Sequence, residues 1–400
     1  MRASMNKINK INKIKVYQPE YYKYFECSGS ECSLSCCSQN WHILIDKATY
    51  DKYVSHSGGD RDKILEAIKV ISDDPFKAVI LKDKSGDCRM LNESKLCSLQ
   101  LKYGHDFLSK TCRTYPRKAY LIAGDTERFF ELSCEVVVNK ALFNKNIMKF
   151  EEVIIETDGP MEYSARLEPE KYIPAPVSSP DGFSLFWKLR TASIAIIQNR
   201  QYKIKIRMLI LCLFIQEIDQ LLQSGQIGGA ARLADDYVRR IDTGYFDDLS
   251  RQMPDGFAKD TDVTLSILKE MGQKGDKHFD RYLKECLQGF KINDFDLPPS
   301  DGFADDYIKY YNLYFSDREY IFENYITHNI LSDGFPFNYK HEGSVVNSFA
   351  GLMAKHDLIE FLLVGLCRHR SKFSKKSVIE CIVCFSRGYD HDMKGYLSMG

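Results

Sequence analysis

The sequence predicts a mainly α protein, in which a cysteine-rich amino-terminal domain of short mixed elements precedes an irregular multi-helix domain. Three observations carry that prediction. Eight of the 13 cysteines fall between Cys27 and Cys134. Prolines at 160, 169, 174, 176 and 180 break the pattern that follows. From residue 181 onward apolar residues recur at three- and four-residue spacing, the period of a helix with one buried face. The expected boundaries are a basic flexible tail over 1–16, the cysteine-rich domain over 17–145, a proline-rich linker over 146–180 and the helical domain over 181–400.

Taken in order, "MRASMNKINKINKIK" carries five basic residues and no acidic one. It lacks the apolar stretch and small-residue cleavage site of a secretory signal, so it reads as a tail, with Met5 a candidate start. His42–Ile45 reads as strand, and Asp46 as the cap of a helical turn after it. "RDKILEAIKVI" sets Ile64, Ile68 and Ile71 on one helical face. "YIPAPVSSPDG" reads as linker strapped along the surface. Helices are expected in "FSLFWKLRTASIAIIQNR", "KIKIRMLILCLFIQEIDQLLQSG", "DDYIKYYNLYFSDREYIFENYITHNIL", "VVNSFAGLMAKHDLIEFLLVGLCRHR" and "KKSVIECIVCFSR". Asp-Gly-Phe recurs at 181, 255, 301 and 333 at unequal intervals, which marks turns before helices and not a repeat array.

Composition excludes several classes. A chain of 400 residues, 44% hydrophobic, can bury one large core or two ordinary ones. Fifty-five basic residues balance 55 acidic ones, so no net field draws it to nucleic acid or an anionic membrane. The aromatics of 307–325 fall at helical intervals among acids, which reads as core and not as a base-stacking platform. The longest apolar run, "MLILCLFIQ" at 208–216, is too short to cross a bilayer. The expected setting is soluble and cytoplasmic, where thiols stay reduced and disulfides are disfavoured.

Reduced, clustered thiols point to soft metal chemistry. "CSGSECSLSCC" places Cys27, Cys32, Cys36 and Cys37 in one short loop, and Cys88, Cys97, Cys112 and Cys134 complete the candidate ligands. Cys36 and Cys37 point apart if extended, so that one ligates while the other packs. Arg113, Arg117 and Lys118 lie near Cys112, where they would lower thiol pKa values and offset the charge of a four-thiolate site. The paired C-x2-C knuckles of zinc ribbons are missing from this region, which favours an iron–sulfur cluster, with zinc as the alternative. Cys367, His369, Cys381 and Cys384 form a second candidate metal group, but Cys381 and Cys384 at i and i+3 on an apolar helix read rather as core, and Cys212 and Cys286 as isolated buried thiols. His328, His341 and His391 have no ligand-like spacing and read as structural.

The residues also carry a resemblance. "YYKYFECSGSECSLSCCSQNWHILIDKATYDKY", "GDCRMLNESKLCSLQLKYGHDFLSKTCRTYPRK" and "LSCE" at 132–135 together resemble the flagellin lysine N-methylase family, which is similar to a broader group of zinc- or iron-chelating proteins. "IIQNRQYKIKIRMLIL", "ENYITHNILSDGFPF" and "FSRGYDHD" extend the likeness over most of the chain. One departure is Glu135, where the pattern leads one to expect proline after Cys134. The resemblance implies a bacterial cytoplasmic enzyme that moves methyl groups from S-adenosylmethionine to flagellin lysines. It also implies a [4Fe–4S] cluster.

A doubly wound methyltransferase would hold its cofactor on a glycine-rich turn after a strand. "SGQIGGAAR" at 224–232 follows a helix and reads as a helix end and turn, so the pocket is expected in the cysteine-rich domain or at its seam with the helices. Trp41, Arg113 and Arg117 are the candidate cofactor-binding residues, and Tyr115, Arg113 and Asp46 the candidate catalytic ones. Polar transfer needs a neutral amine, with Tyr115, Asp46 or Glu135 to take the proton. Radical transfer needs an open iron, and "CSLSCC" matches the C-x3-C-x2-C signature only in part. Two other classes stay open: a non-enzymatic metal module that docks flagellin or an export component, and a thiol redox sensor. Nothing in the sequence signals an oligomeric state.

Overall fold

The computed structural model describes residues 12–38, 41–71, 76–157, 161–168, 179–252, 261–272, 277–292, 307–337, 344–371 and 373–390. Its strands are β1 (Asn12–Pro19), β2 (Ile43–Asp46), β3 (Ile68–Val70), β4 (Phe76–Ile80), β5 (Arg117–Ile122), β6 (Asp125–Phe130), β7 (Phe150–Thr157) and β8 (Ala165–Leu167). They form a five-stranded sheet of order β7-β1-β6-β5-β8 and a three-stranded one of order β2-β4-β3. The first helices are α1 (Lys47–Val54), α2 (Arg61–Glu66), α3 (Ser98–Tyr103), α4 (Lys110–Thr114), α5 (Glu135–Leu142), α6 (Ser179–Gln198), α7 (Ile204–Gln223) and α8 (Ile227–Asp242). The helices Lys277–Gly289, Tyr320–Ser332, Val345–Arg370 and Lys375–Asp390 follow. The chain is mainly helical, as its periodicity predicts.

Two segments differ from the sequence reading. Residues 12–16, read as tail, lie in β1; residues 1–11 are outside the described residues. The reason is charge as well as alternation: β1 runs antiparallel to β7 from Asn12↔Thr157 to Pro19↔Phe150, and Lys13 and Lys15 meet Glu156 at 3.6 Å and Glu152 at 3.4 Å. Within the stretch read as linker, 150–157 and 165–167 are also strand, β8 pairing with β5 in parallel register. Pro160, Pro169, Pro174 and Pro176 lie outside the described residues.

The large sheet shares one apolar core with the helices, running from Tyr21 and Phe130 through Ile196, Phe214 and Ile326 to Phe385. Polar side chains pin sheet to helices where the core closes. Arg190 of α6 reaches Glu127 of β6 at 2.5 Å and the Phe335 carbonyl at 2.9 Å, all nearly sealed from water. Tyr120 donates to the Ser332 carbonyl, and Tyr21 meets His328 Nδ1 at 2.8 Å, so His328 is structural as expected. Arg200 and Arg207 both bind Glu323, whose side chain has no exposure, at 2.8 Å. The helices Lys277–Gly289 and Val345–Arg370 touch backbone to backbone, because a Cβ on Gly289 would strike the Gly365 carbonyl.

A second, smaller core holds Ile43, Ile45, Tyr53, Ile64, Ala78, Ile80, Met90 and Leu99 around the three-stranded sheet. Asp46 caps α1 by accepting the Thr49 amide at 2.9 Å, as the sequence indicates. The helix expected through Ile71 instead stops at Glu66. Ile68 pairs with Ile80 in β3, and Ile71 is left largely exposed, because the β-branched run finds a strand partner in β4.

Other turns follow the sequence less evenly. The expected helix over 305–331 is interrupted, with a π-helical turn at Tyr307–Asn312 and a regular helix only from Tyr320. Its aromatics Tyr311, Phe315, Phe322 and Tyr325 are buried, as a core reading requires. Gly225, at φ +71°, forms the turn between α7 and α8 in "SGQIGGAAR". Asp333-Gly-Phe closes a helix where it was expected to precede one, with Gly334 at φ +69°. At 181 the tripeptide lies inside the start of α6, and at 255 and 301 it is outside the described residues, as are His341 and His391. Among the described residues no helix is long and apolar enough to cross a membrane.

Candidate metal centre

Loops and helix ends carry the eight cysteines, and all 13 in the chain are free thiols. Cys32 ends the 3-10 turn Gly29–Glu31, and Cys36 opens another at Cys36–Ser38. Cys88 and Cys97 sit on β-bridges with Lys82 and Leu91, Cys97 directly before α3. Cys112 lies in α4, and Cys134 directly precedes α5. Cys36 and Cys37 do not point apart: the tight turn brings their Sγ atoms to 4.0 Å.

Two charged side chains lock the 32–36 loop to the 133–135 turn. Glu135 accepts from the Leu34 amide at 3.0 Å, from Ser33 Oγ at 3.0 Å and from the Cys32 thiol at 3.4 Å. That is what the unexpected Glu135 does. From the far end of the chain, buried Arg387 donates to the Leu34 carbonyl at 2.6 Å and the Ser133 carbonyl at 2.9 Å. Its guanidinium carbon lies 5.6 Å from the Trp41 ring centre, and its Nη1 is buried without a partner. Trp41 meets Tyr115 edge to face at 5.0 Å, and the Tyr115 hydroxyl meets Ser133 Oγ at 3.1 Å. Cys36, Trp41, Tyr115, Cys134 and Arg387 thus line the seam between the two cores. Arg387 escaped sequence reasoning; an arginine among the closely spaced apolar residues of "IECIVCFSR" is the signal that could have found it.

Burial governs the thiols. It pushes Cys32 up to about 12, helped by the charge of Glu135, and Cys112 likewise up to about 12. Cys134 rises to about 11 through desolvation, against the pull of the Val137 and Val136 amides at the start of α5. Cys36 is the exception, lowered to about 7 by the Cys37 thiol against its own burial, with Arg387 and Lys82 adding to the pull. Without metal, then, most of these sulfurs are held as thiols, the state a soft cation displaces.

The other expected site residues fall as follows. Desolvation alone would raise the Asp46 carboxyl, but the Lys110 amide at 3.0 Å and Thr49 outweigh it, and the net shift is downward. Both Asp46 oxygens are engaged in joining α1 to α4. Tyr115 is held well above the ordinary phenol range by burial and then by the nearby Cys134, so it persists as the phenol. Arg113 keeps a buried Nε without a partner, and exposed Arg117 stacks over Phe25 at 5.1 Å. Cys367, Cys381 and Cys384 are buried in the helical region, as the core reading expects.

Among the described residues, ligand atoms from three residues come within 4.8 Å of one another only at His356, Asp357 and Glu360. No three cysteine sulfurs do so. A closed zinc tetrahedron would bring them to about 3.8 Å, from Zn–S bonds of about 2.3 Å. The donor chemistry fits a thiolate-bound metal, and the spacing is wider than one zinc ion requires. A cleft of about 560 Å³ lined by Tyr21, Met148, Arg200 and Asn324 contains no cysteine and lies apart from this chemistry.

Fold and site define a helical protein with a thiol-rich seam. The chain belongs to the FliB lysine N-methylase family: residues 190–397, which include Arg387, match the FliB lysine N-methylase C-terminal domain. It is 30% identical over 144 residues to the flagellar biosynthetic protein FliU of Salmonella muenchen, covering 35% of this chain and 83% of that protein. It is 29% identical over 154 residues to a lysine-N-methylase of Salmonella choleraesuis and 28% identical over 145 to one of Salmonella typhimurium. Each of these two matches spans 36% of this chain and 36% of the relative. No solved structure matches.

Proposed function

We propose that this protein is a protein-lysine N-methyltransferase that moves methyl groups from S-adenosylmethionine to lysine ε-amines of flagellin in the bacterial cytoplasm, and that its cysteines hold an iron–sulfur cluster. The observation that carries the reading is Arg387. It belongs to the family-matched segment and hydrogen-bonds the Leu34 and Ser133 carbonyls beside Cys36 and Cys134, which supports a site at this seam.

In the transfer, the amine nitrogen forms the new bond to the methyl carbon. The sulfonium sulfur keeps the electron pair of the broken bond and leaves as a thioether. The amine, whose unperturbed pKa is about 10.4, must first give its proton to solvent water, and a desolvated approach lowers that value. Trp41 offers an aromatic wall, and the unpartnered Nε of Arg113 a donor for the carboxylate of the cofactor's methionine part. Arg117, exposed over the Phe25 ring, is a further candidate donor to the cofactor. Tyr115, as a phenol, orients Ser133 and the turn that carries Cys134, while Asp46 acts by fixing α4 and with it Cys112. In this polar transfer a bound iron–sulfur cluster would act as scaffolding for the cysteine loops.

The test is to incubate anaerobically purified protein with flagellin and S-adenosylmethionine and follow flagellin by mass. Gains in steps of one methyl group are expected. Stable binding of flagellin with no gain in mass would replace the enzyme with a docking module.

A further inference from the structure

The proposed function needs one cysteine-bound centre, yet the eight thiols do not lie in one place. Cys88 is part of the small core, and Cys37, Cys97 and Cys112 pack against it. The backbone ties them further, because the Cys88 amide donates to the Cys37 carbonyl at 2.8 Å. Lys82 Nζ donates to that same carbonyl at 2.9 Å and so sets a cation beside this group. Cys134, by contrast, packs against the large core. Cys32 shares the Glu135 carboxylate with the turn that carries Cys134, and Arg387 joins the carbonyls next to that turn and near Cys36. Cys27 belongs to the same loop as Cys32, its Sγ accepting the Gly29 amide at 3.5 Å at the turn that Cys32 ends. Cys36 and Cys37 stand at the border, 4.0 Å apart, one for each side.

We propose that the eight cysteines hold two separate thiolate-ligated centres, an inner one on Cys37, Cys88, Cys97 and Cys112 and a seam one on Cys27, Cys32, Cys36 and Cys134. This rests on the reading of the cysteines as metal ligands and extends it. Four thiolates make a full ligand set for an iron–sulfur cluster, and each group has that number. The inner set lies within a single small core and has a structural character. The seam set borders Trp41, Tyr115 and the unpartnered Nη1 of Arg387, a donor aimed where thiolate charge would gather.

The full chain, purified anaerobically, is weighed by native mass spectrometry, and its iron, zinc and acid-labile sulfide are counted. Two centres per chain are expected, about eight irons if both are cubanes. Cys97→Ser should remove the inner centre and spare the seam one, and Cys134→Ser should do the reverse. A wild-type count of one centre, which needs no variant to fold, overturns the division but leaves the single-cluster reading intact. Total metal loss in either single variant with helical circular dichroism retained does the same. Wild-type protein with no iron or zinc overturns both.

Discussion

The two cores are stabilised in different ways. The large one buries long aliphatic and aromatic side chains from both the sheet and the helices, and it closes its polar gaps with paired charges such as Arg190–Glu127 and Glu323 with its two arginines. The small one has a short apolar list in which Cys88 takes a core position and three more thiols lie at the edge. A unit of that size buries little apolar surface relative to its chain entropy, and comparable domains lean on metals or disulfides. All its thiols are free. On the proposed reading, bound metal would staple the small core and serve the chemistry at the seam, whereas the large core closes with apolar side chains and paired charges.

The largest effect should come from metal removal. Chelation under reducing conditions should expose amides of residues 76–112 to hydrogen exchange while the helix Val345–Arg370 stays protected. Equal loss in both, or no change in either, would break the comparison. Next, Glu323→Ala leaves buried Arg207 without its buried carboxylate and unpairs the more exposed Arg200, and should cost about 3–5 kcal/mol in urea unfolding. Metal content per folded chain should not change; a drop would show that the two cores do not respond separately. Smallest, Asp46→Ala removes a helix cap and a tie to α4, worth about 1–2 kcal/mol in the small core. Its carboxyl is held below the ordinary value of 3.8, so its contribution is complete above that pH and fades as pH falls through the lower folded value. The variant should lack that acid sensitivity, read from fluorescence of the small core between neutral and acid pH. Identical acid curves would remove Asp46 from the account.

Local pattern carried much of this. The helix Val345–Arg370 matches the apolar period of "VVNSFAGLMAKHDLIEFLLVGLCRHR" from end to end. Asp46 before "KATYDKY" announced its cap, and "CSGSECSLSCC" announced four thiols crowded into one loop. The strands over 12–16 and 150–157 were hidden because a strand's partner can lie anywhere in the chain, and β1 finds its own more than a hundred residues away. Proline and lysine counts there suggested linker and tail.

By itself, the sequence determined the helical half, the reduced and clustered thiols and the family kinship, because each depends on spacing within a short window. Only the tertiary structure decided that tail and linker join one sheet, that the thiols fall on two sides of a seam, and that Arg387 reaches back to Leu34 and Ser133. Those outcomes depend on which distant groups are buried together, and a buried cation takes whatever carbonyls the fold brings within its reach.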